Sequence, residues 1–105
     1  MMESTVLEDL RTELEIPADG TLSRVVYKDD SIRVVGFAFD EGQELTEHTA
    51  AVPAIVQVIQ GRLRVTLGER TVDASPGTWI HMPARLAHGV LALEPTVMLL
   101  TMIRD

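Results

Sequence analysis

Cysteine is absent from this chain of 105 residues, and aromatic residues are scarce, with one tryptophan, one tyrosine and two phenylalanines. Without thiols there is no disulfide, no thiolate nucleophile and no cysteine-ligated metal, a composition that suits a reducing compartment. Lysine occurs once, as Lys28 beside Asp29, a poor setting for Schiff-base chemistry. No apolar run approaches the roughly 20 residues needed to span a bilayer. The opening MMESTVLEDLRTELE lacks both the basic cluster and the apolar stretch of a leader, so a soluble, cytoplasmic protein is expected. Phosphate loops, nucleophile elbows, HExxH helices and calcium loops are missing as well.

The charge that is present is mostly negative. The formal net charge is -7, and twelve of the sixteen acids fall within residues 1–47. Such a surface repels phosphate, so neither nucleic acid nor an anionic membrane is an expected partner. Hydrophobic residues make up 46% of the chain. With few aromatics, the core must be built from Val, Leu, Ile, Ala and Met, and β-branched side chains favour sheet. So high an apolar fraction exceeds what one small core needs, and a homodimer interface is the simplest expected destination for the surplus.

Turn residues divide the chain into short apolar pieces. Strands are expected at Leu22–Tyr27, Ile32–Phe39, Pro53–Gln60, Arg62–Leu67, Arg70–Asp73, Thr78–Met82, His88–Leu93 and Thr96–Ile103. Between Arg62 and Leu67 polar and apolar residues alternate, the mark of a strand with one wet face. Gly68-Glu69 suits a hairpin turn. Before residue 21 the spacing of Val6, Leu7 and Leu10 allows a short helical turn with Ser4 as cap, or an irregular segment. About eight strands with no helix between them predict an all-β fold, a single domain over residues 1–105 with its barrel core at about 21–103.

Two windows carry a more specific signal. The first reads Gly42, five residues, His48, Thr49, Ala50, three residues, Ala54, six residues, Gly61. The second reads Gly77, five residues, Pro83, Ala84, Arg85, two residues, His88. This pair resembles the two motifs of the cupin superfamily, small RmlC-like single-domain bacterial members in particular. The resemblance implies a jelly-roll or double-stranded β-helix barrel. It also implies a divalent metal held by two histidines and a glutamate from the first motif and one histidine from the second. Here Ala50 stands at the second histidine position and Ala54 at the glutamate position, so only His48 and His88 remain. Arg85 occupies a position where the motif has glycine, and Ala92 one where asparagine is sometimes found.

Two imidazoles alone bind metal weakly, since tight sites use three or four protein ligands. A third donor is sought in Glu44, of the same strand parity as His48, or in His81; Glu47, next to His48, is expected to point away from it. Trp79 and His81 share one face of their strand, so both line the pocket or Ile80 and Met82 do instead. Ala50, Ala54 and Val56 should leave the interior apolar and enlarged unless methionines fill it. Arg85 is a candidate for gripping a carboxylate.

The expected ligand site is therefore His48, His88, Ala50, Ala54, Val56, Trp79, His81 and Arg85. Its expected ligand is a small apolar or aromatic molecule, with or without a carboxylate. The expected cofactor is none, or a weakly held Zn, Ni, Fe or Mn ion. The leading function is small-molecule binding at a degenerate metal site. The alternatives are a metal-dependent oxygenase, isomerase or decarboxylase using His48, His88 and a third donor, and a structural or interaction role as a homodimer.

Overall fold

A computed structural model describes residues 2–104. One helical turn, α1 (Leu10–Glu13), precedes nine strands: β1 (Thr21–Lys28), β2 (Ile32–Phe39), β3 (Glu44–His48), β4 (Ala54–Gln60), β5 (Leu63–Leu67), β6 (Arg70–Ala74), β7 (Trp79–Met82), β8 (His88–Ala92) and β9 (Thr96–Ile103). They form two antiparallel sheets, ordered β1-β2-β9-β4-β7 and β3-β8-β5-β6. From β2 onward the chain passes back and forth between the sheets, interrupted only by the β5–β6 hairpin, which is the jelly-roll form of the all-β architecture expected from the sequence. In that hairpin Leu67 pairs with Arg70, leaving Gly68-Glu69 as a two-residue turn.

The core lies between the sheets and follows the period of two. On β4 Ala54, Val56 and Val58 are buried inward, while Ile55, Gln57 and Ile59 face outward. Phe39, Leu63, Val65, Met82 and Met98 complete the centre of the same cluster. Phe37 and Phe39 stack with centroids 5.7 Å apart. Each large aliphatic side chain so buried contributes about 1.5–3 kcal/mol, which is why four aromatics suffice.

The outer face of the five-stranded sheet carries a second apolar cluster. Leu14, at 0% exposure, packs with Ala38 and Val97, flanked by Ile16, Leu22, Val26, Ile59 and Leu99. Leu14 fits because β2 has Gly36 beneath it: a Cβ there would lie 2.5 Å from Leu14 Cδ1. The segment before β1 is thus a cover for that face, and part of the apolar surplus is absorbed within the chain. Its helical turn begins later than the sequence suggested. Asp9, not Ser4, is the cap, its carboxylate accepting from the Arg11 backbone N–H at 3.0 Å. No helix among the described residues is long and apolar enough to cross a membrane.

Candidate functional site

The strand that carries His48 is the one the sequence pattern did not mark. β3 reads Glu-Leu-Thr-Glu-His, and all its residues but Leu45 are exposed, because it is an edge strand whose only neighbour is β8. Glu44 pairs with Leu91 and Leu45 with Val90, but the register then shifts, and His48 pairs with His88. This bulge overturns the parity expected for Glu44. An inserted residue reverses alternation, so Leu45 and His48 both line the space between the sheets. Glu44 lies instead with Glu47 and Arg64 along a shallow groove on the outer face of the four-stranded sheet.

His48 and His88 meet edge to face with ring centroids 4.3 Å apart. His88 is 8% exposed and closes the interior, whereas His48 is exposed at the mouth. Each ring is fixed by the same contact: Nδ1 of His48 lies 2.8 Å from the Thr46 carbonyl, and Nδ1 of His88 lies 2.8 Å from the Leu86 carbonyl. A carbonyl only accepts, so both Nδ1 atoms carry the proton and donate. Nε2 of each ring is left with its lone pair free, the tautomer that a metal ion or a hydrogen-bond donor requires.

Behind the pair lies a cavity of about 40 Å³, walled by Phe37, Leu45, Val56, Met82, Met98 and Leu100. It is apolar, as expected, but not enlarged. Ala54, at 3% exposure, pairs with Met82 on one side and Met102 on the other. Paired residues project from the same face, so two long thioether side chains flank the small one and take up the space a glutamate would have used.

The remaining candidates scatter. Trp79 and His81 are exposed on the outer face, and Ile80 and Met82 turn inward, so neither aromatic ring of β7 lines the pocket. His81 pairs with Ile55, back to back with the Ala54–Met82 pair, and supplies no third donor. Ala50 is in the loop after β3 and is tied to the β7–β8 loop, its carbonyl accepting from the Arg85 N–H at 2.8 Å. Arg85 is exposed, with φ at 69°, a backbone conformation that explains why the motif has glycine there. Among the lining residues that sequence reasoning left out of the site are Leu45 and Phe37, with Val65, Val90 and Leu100. The bulge in β3 hid the first; the inward parity of Phe37, shared with Phe39, was open to reading.

The divalent-metal set that the motifs imply does not fit these residues. Among the described residues no three His, Asp or Glu side chains are grouped to hold a metal ion. Two imidazoles are the only nitrogen or oxygen side-chain donors lining the cavity, and nothing in its walls carries the negative charge that would offset a buried dication.

A family model described as a cupin domain matches residues 37–104. Comparison with curated proteins finds no match. Among solved structures, a conserved protein of unknown function from Streptococcus pyogenes is 30% identical, with 99% of this chain and 91% of that one covered and a TM-score of 0.87. The protein KdgF from a Halomonas species is 27% identical, with 82% of each chain covered and a TM-score of 0.78. A cupin superfamily protein from Desulfitobacterium hafniense has a TM-score of 0.87 at 19% identity, over 100% of this chain and 99% of that one, a likeness of fold alone. The matched domain, the two sheets and the paired histidines agree: the chain belongs to the cupin family.

Proposed function

We propose that this cupin binds a small molecule at the mouth of its barrel, through His48 and His88, and that the divalent-metal site of its family has been dismantled. The observation that carries this reading is the pair of imidazoles locked through Nδ1 to backbone carbonyls, with both Nε2 lone pairs free at the entrance to an apolar cavity. A hydroxyl or N–H group on the ligand matches those acceptors directly. A carboxyl group matches them when one proton is shared between it and a ring nitrogen.

The apolar part of the ligand has little room. A cavity of roughly 150 Å³ accepts benzene, and the space here is about 40 Å³. An aromatic ring enters only if Met82 or Met98 changes rotamer, which the unbranched methionine side chain allows at low cost. The test is nuclear magnetic resonance titration with benzyl alcohol, benzoate and toluene. Benzyl alcohol or benzoate should shift the His48 and His88 ring signals together with the Met82 and Met98 methyls, and His48→Ala should abolish the shift. No response at millimolar concentration rejects the reading. The metal-dependent enzyme alternative lacks its third donor, since Glu44 and His81 both stand outside the cavity.

Pairing of two copies has separate support in Trp79, which is 58% exposed on the outer face of β7, the edge strand of its sheet. Sedimentation should then report a dimer that Trp79→Ser converts to a monomer of unchanged fold; a monomeric wild type ends this reading. The cytoplasmic compartment remains part of the proposal, supported by the lack of cysteine.

A further inference from the structure

The outer face of the five-stranded sheet is covered unevenly. Leu14 is seated directly on Gly36, and the helical turn before it is tied to β1 by the Glu13–Arg24 ion pair at 3.0 Å. Residues 3–10 stand further off. Between them and the sheet lies a cavity of about 400 Å³, against about 40 Å³ behind the histidines. That volume falls inside the range of roughly 300–1,000 Å³ usual for small-molecule sites. Its floor is Val26, Val34 and Leu99, and its wall is Leu7 and Leu10, both only half-buried. A bulge in β1 shapes the floor. Val25 pairs with Val35 and Tyr27 with Val34, so Val26 is the extra residue, and two consecutive side chains, Val26 and Tyr27, reach the same cavity.

The polar groups on the rim accept hydrogen bonds. Tyr27 donates its hydroxyl proton to the Asp29 carboxylate at 2.7 Å, so its oxygen offers a ligand only lone pairs. Glu3 adds a carboxylate, beside the Ser4 and Thr5 hydroxyls, and among the described residues no lysine or arginine lines the space. An apolar floor under negatively charged acceptors suits an alkyl chain that ends in cationic N–H donors. The carboxylate of a fatty acid would instead meet Glu3 and Asp29 with the wrong sign.

We propose that this cavity is a second binding site, separate from the barrel mouth, for a primary alkylammonium ion. The chain lies on Val26, Val34 and Leu99, and the nitrogen donates to Tyr27 Oη and the Glu3 carboxylate. The test is a nuclear magnetic resonance titration of the full chain with hexylammonium chloride, run beside sodium hexanoate and ammonium chloride at constant ionic strength. Wild type, Val34→Phe and Tyr27→Phe are compared, and circular dichroism verifies the fold of each variant.

The expected result is saturable binding of hexylammonium in the millimolar range, as suits so small a ligand. Signals of residues 3–10, Val26, Tyr27, Val34 and Leu99 should move, and the His48 and His88 rings should not. Hexanoate should bind at least about tenfold more weakly, because attraction at exposed carboxylates is exchanged for repulsion. Ammonium, which has no chain, should not saturate. Val34→Phe fills the floor and should abolish binding, whereas Tyr27→Phe keeps the ring and should weaken it about two- to tenfold through the lost acceptor. No saturation, equal affinity for hexanoate, or undiminished binding by Val34→Phe overturns the proposal. Shifts in the same residues that follow protein concentration rather than amine assign the face to a second copy and overturn it as well. Shifts confined to the histidine rings and the barrel cavity also overturn it, while leaving the small-molecule reading of the barrel standing. If Val34→Phe does not fold, Tyr27→Phe and the contrast between the two hexyl ligands decide.

Discussion

His48 and His88 are cross-strand partners, aligned by a bulge in β3 and held 4.3 Å apart at their ring centroids. Where the family motif has glutamate, the side chain is Ala54, between Met82 and Met102 on the inner face of the other sheet. Half of a metal site is thus in place with its tautomers set, facing a surface that offers no charge.

That arrangement makes restoration informative. Ala54→Glu alone puts an uncompensated carboxylate into a buried, methionine-flanked position and should destabilise the fold by about 3–5 kcal/mol. Ala50→His combined with Ala54→Glu should bind Zn(II) or Mn(II) near one equivalent and regain stability when metal is added. Thermal unfolding with and without metal reads this out. Indifference of the double variant to metal would show that the histidine pair is not placed as a half-site.

The cover over the outer sheet should be worth a measurable amount. Leu14→Ala removes a fully buried side chain from above Gly36 and should cost about 2–5 kcal/mol in urea unfolding. Amide exchange in residues 10–16 should quicken alongside. A change within error would mean that the segment merely rests on the sheet.

Arg85 holds a backbone conformation that favours glycine. With φ at 69°, its left-handed conformation costs about 1–2 kcal/mol, part of which glycine gives back through its freer unfolded state. Arg85→Gly should therefore be neutral or raise stability by up to about 1 kcal/mol. Loss of stability would show that the arginine side chain compensates the strain through contacts of its own.

Part of the acid sensitivity should come from two turn carboxylates, Asp29 and Asp40. The Tyr27 hydroxyl, then the Ile32 and Ser31 N–H groups, hold Asp29 below the usual carboxylate range. The Asp19 N–H and then the Glu41 N–H do the same for Asp40. A lowered folded value means the contribution is present above the unfolded value of about 3.9 and is lost as pH falls through the lower folded one. Asp29→Asn/Asp40→Asn should be less stable than wild type near neutral pH, with a smaller further loss below about pH 4. Equal acid slopes in denaturant titrations would assign the sensitivity elsewhere.

Much of the architecture was legible because turn residues bound each apolar piece and because β4 and β5 alternate, showing their buried face in Val56, Val58 and Val65, whereas β9 is apolar on both faces. β3 was not, because an exposed edge strand has no apolar face to display, and its bulge reverses the parity on which Glu44 was judged. The motif spacing located His48 and His88 but not their surroundings. Whether Trp79 and His81 or Ile80 and Met82 turned inward was a choice between two faces, and pairing with Ala54 and Val56 settles it. The second apolar cluster escaped notice because Leu14 and Gly36 are distant in sequence and meet only across the sheet.

Elemental analysis of protein purified without chelators or nickel resin, run beside His48→Ala, tests the loss of the divalent site most directly. The account predicts that neither protein carries Fe, Zn, Ni or Mn near one equivalent. About one equivalent of any of these in the wild type, lost in the variant, would contradict it.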